Sequence, residues 1–412
     1  MLIKVFLLAI LATVARSQCL SENDVSGVFN KNSKVNLYMG QQAFTVALLD
    51  AINKATPNEN VFFSPYSTFH ALLLAYFGAK NQTEEGLKTA LKLEWAESKF
   101  DVMQAYRSEV QNRARRSQNS SVDFTSADKL YFAPKVQVKE CIEELFHDEI
   151  ETLDFEKDPE AARMTINKWV EDITKNNIKD ILVPGSLSAQ TNVVLANAAY
   201  FKGSWASKFD AALTQKEIFY ASADNHVFVD MMNKKGYFNH ALNEHLGTHV
   251  LEIPYEGDGT EMSFIILLPP FTPNGLDDVL SKLTPESLMR ALDDGTSREV
   301  ELKLPKFSFE KKYELVPILE AMKVGDLFQP TSNLAGFSDS HKIQLDDAVH
   351  QAKIDVDEEG STAAAATVLF SFRSSRPLDP LQFHCNHPFL FLIYDHRSRA
   401  VLFSGIYRGP EN

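Results

Sequence analysis

Residues 358–377, EEGSTAAAATVLFSFRSSRP, combine two halves that few folds tolerate in one segment. The first half, residues 360–367, holds only small, uncharged side chains, whereas the second half carries Arg373 and Arg376. An alanine run is most often a turn of helix, but the flexible glycine before it and the β-formers after it favour an extended strand. In a strand neither face of the first half carries a charge. This half can therefore lie inside a sheet at little desolvation cost, whereas unpaired arginines cannot.

The first 17 residues are predicted to be a signal peptide. Lys4 supplies the positive start, residues 5–14 form an apolar core, and Ala15-Arg16-Ser17 is a small-x-small cleavage site. The apolar core is too short to span a bilayer. We therefore expect a secreted, extracellular chain that begins at Gln18.

The chain of 412 residues is acidic. Its formal net charge is −14, and removal of Lys4 and Arg16 with the signal peptide takes it to −16. This charge disfavours general binding to nucleic acid or to an anionic membrane, so no partner of either kind is expected.

Three cysteines, Cys19, Cys141 and Cys385, are too few for a disulfide framework. Because their number is odd, at least one is free or pairs with another molecule. Stability must come from a large core, which a chain of this length can bury. No Pro/Gly/Ser-rich linker or repeat interrupts the chain, so residues 18–412 are predicted to form a single domain.

Two tripeptides, Asn81-Gln82-Thr83 and Asn119-Ser120-Ser121, are acceptor sequons for N-glycosylation. Both agree with secretion, although the tripeptide is common by chance. We predict glycans on Asn81 and Asn119.

Neither a metal site nor an enzyme active site is predicted. His240, His245 and His249 lie close in sequence, but there is no HExxH motif and Gly247 would break the helix that could align them. No GxSxG or comparable nucleophile motif is present, so the chain is not expected to be a hydrolase.

Hydrophobic periodicity predicts an α+β domain rather than a doubly wound sheet, because strands and helices alternate without βαβ regularity. Predicted helices cover residues 36–54, 68–78, 83–116 (more than one helix, the last basic), 140–147, 158–178, 275–292 and 315–322. Predicted strands cover residues 60–64, 122–132, 191–201, 299–309, 388–394 and 400–407, with several more between 218 and 268. The segment 191–201 is apolar nearly throughout, which is typical of a strand buried on both faces.

Six segments, in order along the chain, resemble sequences of the serpin family. They are NVFFSPYSTFHALLLAYFGAKNQTEEGL from Asn60, INKWVEDITKNNIKDIL from Ile166, LANAAYFKGSWASKF from Leu195, LPKFSFEKKYEL from Leu304, HQAKIDVDEEGSTAAAAT from His350 and NHPFLFLIYDHRSRAVLFSGIY from Asn386. The resemblance covers roughly residues 36–410. It implies three β-sheets, about nine helices and an exposed reactive-centre loop at about residues 358–380. One departure is Asn176, where many members carry a glycine in the turn after a helix.

The resemblance implies a single-use inhibitor of serine proteases. A protease attacks a bond in the exposed half of the loop and forms an acyl-enzyme. The small-residue half then inserts into the main sheet and carries the protease along, which deforms its active site. About a dozen new hydrogen bonds at ~0.5–1.5 kcal/mol each make roughly 10 kcal/mol available, comparable to the whole stability of a small protein.

The expected partner is a trypsin-like serine protease in an extracellular cascade, such as the immune or clotting cascades of arthropod haemolymph. The inhibitor is expected to be a monomer that needs no cofactor. The alternative is a non-inhibitory serpin that serves as a carrier, storage or chaperone protein. Because such members tend to have bulky or charged hinge residues, the small residues 361–366 favour the inhibitor.

The resemblance also assigns the site residues. The hinge and the small run that inserts are Glu358, Glu359, Gly360, Ser361, Thr362, Ala363, Ala364, Ala365 and Ala366. The region where the sheet opens contains Ser64, Asn197 and His350, although buried polar residues of these types are usually satisfied core groups.

Two positions remain for the cleaved bond. A trypsin-like pocket has an acidic base that binds arginine, which favours Arg373-Ser374. The usual loop length of the family instead places the bond between Ser374 and Ser375. Arg376 is disfavoured because the ring of Pro377 would follow the cut.

A basic helix is the last candidate site. Arg107, Arg113, Arg115 and Arg116 lie where some serpins bind heparin-like sulfated polysaccharides, which would act as accelerators. Such a run of charge is usually a solvated surface, and a glycan on Asn119 would crowd the site.

Overall fold

The computed structural model describes residues 19–20, 31–117, 122–257, 262–339, 342–359 and 379–411. The predicted signal peptide and Asn119 lie outside these ranges. Between Ser33 and Ala321 the described chain contains nine α-helices. They are α1 (Ser33–Ala55), α2 (Pro65–Gly78), α3 (Asn81–Ala90), α4 (Lys99–Ser117), α5 (Glu140–Leu145), α6 (Pro159–Ile173), α7 (Gly275–Lys282), α8 (Pro285–Asp293) and α9 (Leu315–Ala321). None of the described helices is both long and apolar enough to cross a membrane.

The described residues also form fourteen strands. They are β1 (Val61–Phe63), β2 (Asp123–Phe132), β3 (Ile150–Thr152), β4 (Val193–Lys202), β5 (Gln215–Tyr220), β6 (His226–Asn243), β7 (Thr248–Pro254), β8 (Met262–Leu268), β9 (Thr296–Pro305), β10 (Phe307–Glu314), β11 (Asp347–Val356), β12 (Leu381–His384), β13 (Phe389–Asp395) and β14 (Ala400–Tyr407). The α+β prediction is confirmed.

One sheet has nine strands in the order β1-β14-β13-β8-β7-β6-β9-β12, and β5 also pairs with β6. The 18-residue strand β6 explains its size. The first part of β6 pairs with β5, and its last part pairs with β7. Two of the three expected sheets are therefore joined into one, because β6 hydrogen-bonds to strands of both.

The second sheet has five strands in the order β10-β11-β4-β2-β3. Its middle strand β4 is buried at its first nine positions, as predicted for a strand covered on both faces. β4 runs antiparallel to β2 but parallel to β11. The parallel pair β4 and β11 is the feature of the fold on which the candidate site depends.

Helix α2 is buried along its whole length and packs against strands of both sheets. The sequence predicted that Pro65 ends a strand and that the helix begins at residue 68. Instead, the Ser64 side chain caps the helix by accepting from the Ser67 N–H, and Pro65 occupies the first turn. Proline suits this position because a backbone N–H is not needed there.

Two predicted elements are each divided in the structure. Residues 275–292 form α7 and α8, because Thr284 caps α8 and Pro285 opens it. Residues 299–309 form parts of β9 and β10, which belong to different sheets and meet at Lys306. The apolar positions change phase here, from Val300, Leu302 and Leu304 to Phe307 and Phe309, and the prediction of a single strand did not take this shift into account.

The predicted helix 158–178 ends at Ile173. Lys175 and Asn176 follow with φ angles of 53° and 63°. Asparagine is among the residues that tolerate this left-handed region, so Asn176 supports the turn where many serpins have glycine.

The structure assigns the cysteines. Cys19 and Cys141 form a disulfide that closes a separation of 122 residues. Cys385 is free and buried, in agreement with the expectation that at least one cysteine lies outside any internal pair.

Candidate functional site

Ser64, Asn197 and His350, the predicted sheet-opening residues, lie together at the parallel strand pair. His350 of β11 is in register with Asn197 of β4. Asn197 is in turn in register with Asp128 of β2. Ser64, Asn197 and His350 are fully buried. Three neighbouring strands therefore present polar side chains along one line across the sheet.

The hydrogen bonds fix the state of His350. Burial lowers its pKa to about 3, so the imidazole is neutral. The Ser64 backbone N–H donates to Nε2 over 2.9 Å, so the proton of the neutral ring is on Nδ1. This N–H donates to Asn197 Oδ1 over 2.5 Å. The bond from His350 to Asn197 crosses the boundary between β4 and β11.

Asp128 extends the line and was not predicted from the sequence. It accepts hydrogen bonds from the Asn197 amide and from Ser67 Oγ, and also from Ser126 Oγ at 2.7 Å. Burial raises the pKa of Asp128 to about 6, although these hydrogen bonds and the charge of Arg113 oppose the rise. An aspartate in a strand ordinarily suggests a solvent-facing position, and nothing nearby in sequence identifies its partners.

The start of α2 connects the two sides of the boundary. Ser64 contacts the β11 side through His350, and its Oγ donates to Leu402 O of β14 over 2.7 Å. Ser67, one turn later, donates to Asp128 over 2.9 Å on the β2 side. We call Ser64, Ser67, Asp128, Asn197 and His350 the sheet-opening network. Separation of β4 from β11 must break this network.

The topology also defines how a new strand would fit. Residues that leave the end of β11 and turn back run antiparallel to β11. Because β4 is parallel to β11, they run antiparallel to β4 as well. Insertion would replace one parallel pairing with two antiparallel ones, which are slightly more stable per residue.

The segment after β11 is anchored to the chain that follows β4. Trp205 Nε1 donates to Asp357 O over 2.8 Å, and the Phe209 N–H donates to Glu358 O over 3.0 Å. The Trp205 ring is stacked on Tyr255 with 4.8 Å between centroids. The start of the loop is thereby held over one end of the β4–β11 boundary.

Side chains reinforce this anchor. Lys306 Nζ lies 2.7 Å from Glu358 Oε2, and Thr214 Oγ1 donates to Glu358 Oε1 over 2.8 Å. Burial alone would raise the pKa of Glu358, but these two hydrogen bonds outweigh it and the pKa is lowered. Lys208 Nζ lies 2.6 Å from Glu359 Oε2. Sequence reasoning assigned Glu358 and Glu359 to the hinge but missed their partners, which are far away in the chain.

The rest of the predicted loop lies outside the described residues. This covers the hinge positions Gly360, Ser361, Thr362, Ala363, Ala364, Ala365 and Ala366, and the cleavage candidates Arg373, Ser374 and Ser375. Their assignments stay predictions. Asn81 is exposed at the start of α3, and its glycosylation likewise stays a prediction.

The four arginines of the predicted polysaccharide site differ in their surroundings. Arg107 pairs with Glu149 at 3.1 Å. The Arg113 guanidinium lies against the rings of Tyr66 and Phe124. Arg115 is exposed, and the side chain of Arg116 lies outside the described part of the structure. Two of the four are therefore already engaged within the protein, and polysaccharide binding stays a prediction.

The histidines considered for a metal do not form a site in the described residues, where no three potential ligands gather. His240 Nε2 and His249 Nδ1 are 2.9 Å apart and hydrogen-bond to each other.

Another group resembles a catalytic triad only in composition. Ser263 Oγ donates to Glu252 over 2.6 Å. A single nitrogen of His396, Nε2, faces both the serine hydroxyl and the carboxylate. The imidazole therefore does not relay between serine and carboxylate as in a triad.

Comparison with known proteins identifies the fold. Maspin superposes with a TM-score of 0.83 at 25% identity, covering 92% of this chain and 100% of maspin. Uncleaved ovalbumin superposes with a TM-score of 0.79 at 28% identity, covering 91% of this chain and 100% of ovalbumin. The protein therefore has the serpin fold, as predicted.

Sequence comparison identifies the family. The family model described as "Serpin (serine protease inhibitor)" matches residues 39–410. The chain is 44% identical over 425 residues to "Serine protease inhibitor 88Ea" of Drosophila melanogaster, which covers 100% of this chain and 99% of the relative. It is 32% identical to "Antithrombin-III" of Ovis aries, over 95% of this chain and 85% of the relative. The chain belongs to the serpin family.

Proposed function

We propose that this protein is a secreted suicide-substrate inhibitor of a trypsin-like serine protease. The observation that carries the proposal is the parallel pair β4 and β11, which is closed by buried hydrogen bonds. In the sequence, β11 is followed within a few residues by a run of small, uncharged side chains. Such a boundary can accept the loop as an antiparallel strand.

The chemical step belongs to the protease. Its serine oxygen attacks the carbonyl carbon of Arg373, the bond to the nitrogen of Ser374 breaks, and that nitrogen leaves as an amine after receiving a proton. The product is an ester between the protease and Arg373. The inhibitor must then act before water hydrolyses the ester.

The residues of the inhibitor control the insertion that follows. Cleavage frees the loop from its attachment at β12. The ion pair between Lys306 and Glu358 and the hydrogen bond from Thr214 to Glu358 must also break. The bond from His350 to Asn197 must break for β4 to separate from β11. Residues 360–367 then add no charge to the sheet, so their burial costs little.

Incubation with trypsin followed by denaturing electrophoresis tests the proposal. We expect a covalent band with the combined mass of the two proteins. Nicking of the loop without this band would instead support the non-inhibitory carrier, storage or chaperone alternative. Mass spectrometry of the released fragment identifies the bond: an amino terminus at Ser374 supports Arg373-Ser374, and one at Ser375 supports the alternative.

The setting of the inhibitor forms part of the proposal. The predicted signal peptide and the sequons at Asn81 and Asn119 support an extracellular glycoprotein. The 44% identity to a Drosophila serine protease inhibitor supports an inhibitor of an arthropod-type cascade. We propose that it acts as a monomer. Acceleration by a sulfated polysaccharide would depend chiefly on the exposed Arg115 and on Arg116.

A further inference from the structure

Arg113 extends from the side of α4 that faces the protein, and its guanidinium packs against two aromatic rings. Its guanidinium carbon lies 4.0 Å from the centroid of the Tyr66 ring and 3.9 Å from that of Phe124. These two rings are themselves in T-shaped contact at 5.8 Å. A planar guanidinium stacks well on aromatic faces, so this arrangement links α4 to α2 and to β2.

The same helix fixes Tyr66 by a second contact. Glu109 precedes Arg113 by four residues and therefore lies on the same face of α4. Its carboxylate is buried and accepts a hydrogen bond from the Tyr66 hydroxyl over 3.3 Å. The Tyr38 hydroxyl of α1 donates to the same carboxylate. Tyr66 is thus held at its hydroxyl by Glu109 and at its ring by Arg113.

Tyr66 and Phe124 belong to parts of the molecule that must separate when the sheet opens. Tyr66 lies between Ser64 and Ser67 in the first turn of α2, and Ser64 ties this turn to β11 and β14. Phe124 lies on β2, which pairs with β4 from Asp123 to Phe132. If β4 leaves β11, β2 should move with it because the two strands are paired over ten residues. The two bonds of Ser64 would hold the start of α2 with β11 and β14, and the bond from Ser67 to Asp128 would break.

We propose that Arg113 is a positioning residue that keeps the sheet closed, because its guanidinium joins Tyr66 on the fixed side to Phe124 on the moving side. This inference rests on the proposed function. It assigns Arg113 an inward-facing role that the basic composition of α4 does not indicate. Loss of the stacked guanidinium lowers the barrier to opening and leaves the opened form unaffected.

The test uses Arg113→Met, which keeps a long apolar side chain but removes the charge and the planar group. The matched control is Arg290→Met, which makes the same chemical change at an exposed position of another helix, α8. Each full-length protein is incubated with a synthetic peptide of residues 360–373, and incorporation is followed by native electrophoresis. We expect incorporation on the order of tenfold faster in Arg113→Met than in the wild type, and no change in Arg290→Met.

A second measurement separates positioning from general stabilisation. After cleavage in the loop the stack is already broken by insertion, so we expect the cleaved Arg113→Met and wild-type proteins to melt at the same temperature. Arg113→Lys keeps the charge without the planar group and should incorporate the peptide at an intermediate rate.

Three outcomes would overturn the inference: a wild-type incorporation rate in Arg113→Met, equal acceleration in Arg290→Met, or a lower melting temperature of cleaved Arg113→Met. Failure of the proposed function looks different. In that case the wild type itself incorporates no peptide and forms no covalent complex with trypsin.

Discussion

Asp128 shows how a single residue can keep the sheet ready to open. Its carboxylate lies at the end of the sheet-opening network and is hydrogen-bonded to Asn197, Ser67 and Ser126. At pH 7 it is mainly ionised although burial raises its pKa to about 6. The native state therefore contains a carboxylate that is less stable there than in water, in a network that the proposed loop insertion would disrupt.

Asp128→Asn is expected to stabilise the uncleaved protein at neutral pH. An amide can accept from Asn197 and Ser67 and donate to Ser126, so the network is retained without the charge. The folded pKa of about 6 exceeds the ordinary value of 3.8. The stabilisation from protonated Asp128 is therefore complete below about pH 4 and is lost as the pH rises through 6. The variant should gain up to about 3 kcal/mol at pH 7.5 and nothing at pH 4.

Thermal unfolding of the variant and the wild type at both pH values measures this difference. Protonation of His350 and His70, whose pKa values burial lowers to about 3, destabilises both proteins below pH 6.5. Because both proteins share this effect, it cancels in the comparison. Asp224→Asn, at an exposed turn, serves as control. A variant less stable than the wild type at pH 7.5 would mean that the carboxylate's hydrogen bonds outweigh its burial.

At the scale of elements, the proposed mechanism requires the hinge to enter a sheet that is already fully paired. In the uncleaved protein its first residues are hydrogen-bonded to the chain after β4 rather than to a strand. The positions from Gly360 onward carry no charged side chain until Arg373. The absence of charge is the property that insertion requires.

Ser361→Arg should convert the inhibitor into a substrate of trypsin. A charge at the first side chain to enter the sheet would be buried without a partner, which stalls insertion and allows water to release the protease. On electrophoresis we expect cleaved inhibitor and little covalent complex. Ser361→Ala should behave as the wild type. An undiminished covalent band in Ser361→Arg would contradict the insertion mechanism.

Sequence reasoning located most elements but not their junctions. Helix α1, strand β4 and the pair β13 and β14 were predicted because each has a continuous apolar pattern. The junction at Lys306 was missed because residues 299–309 were treated as one strand, although the apolar positions shift from even to odd numbers between Leu304 and Phe307. Lys306 has the further role of anchoring Glu358. That contact depends on a neighbour in space, which local periodicity does not contain.

At the scale of the whole molecule, the uncleaved fold leaves hydrogen-bonding capacity unused. The β4–β11 boundary is paired only from Asp347 to Lys353 on the β11 side, whereas an inserted strand would pair with both neighbours. About a dozen inserted residues would add roughly 10 kcal/mol. This reserve of free energy is what the proposed mechanism uses to translocate the protease.

Cleavage in the loop is therefore expected to raise the melting temperature by at least about 10 °C. The measurement is differential scanning calorimetry of intact and cleaved protein. Cleaved Ser361→Arg provides the control, since a loop that cannot insert should give little increase. Equal melting temperatures of the intact and cleaved wild type would show that the uncleaved protein is not metastable.

The sequence by itself determined the α+β class, the serpin family and the odd cysteine, because each is visible as a pattern, a motif or a count. The assignment of Ser64, Asn197 and His350 to one region followed from the resemblance to the family. Only the tertiary structure decided that Cys19 pairs with Cys141, that Lys306 holds Glu358, that Asp128 is bonded to Asn197, and that Arg113 packs on Tyr66. The reason is physical. These roles depend on distances between side chains that are tens to hundreds of residues apart in the chain, and folding alone sets those distances.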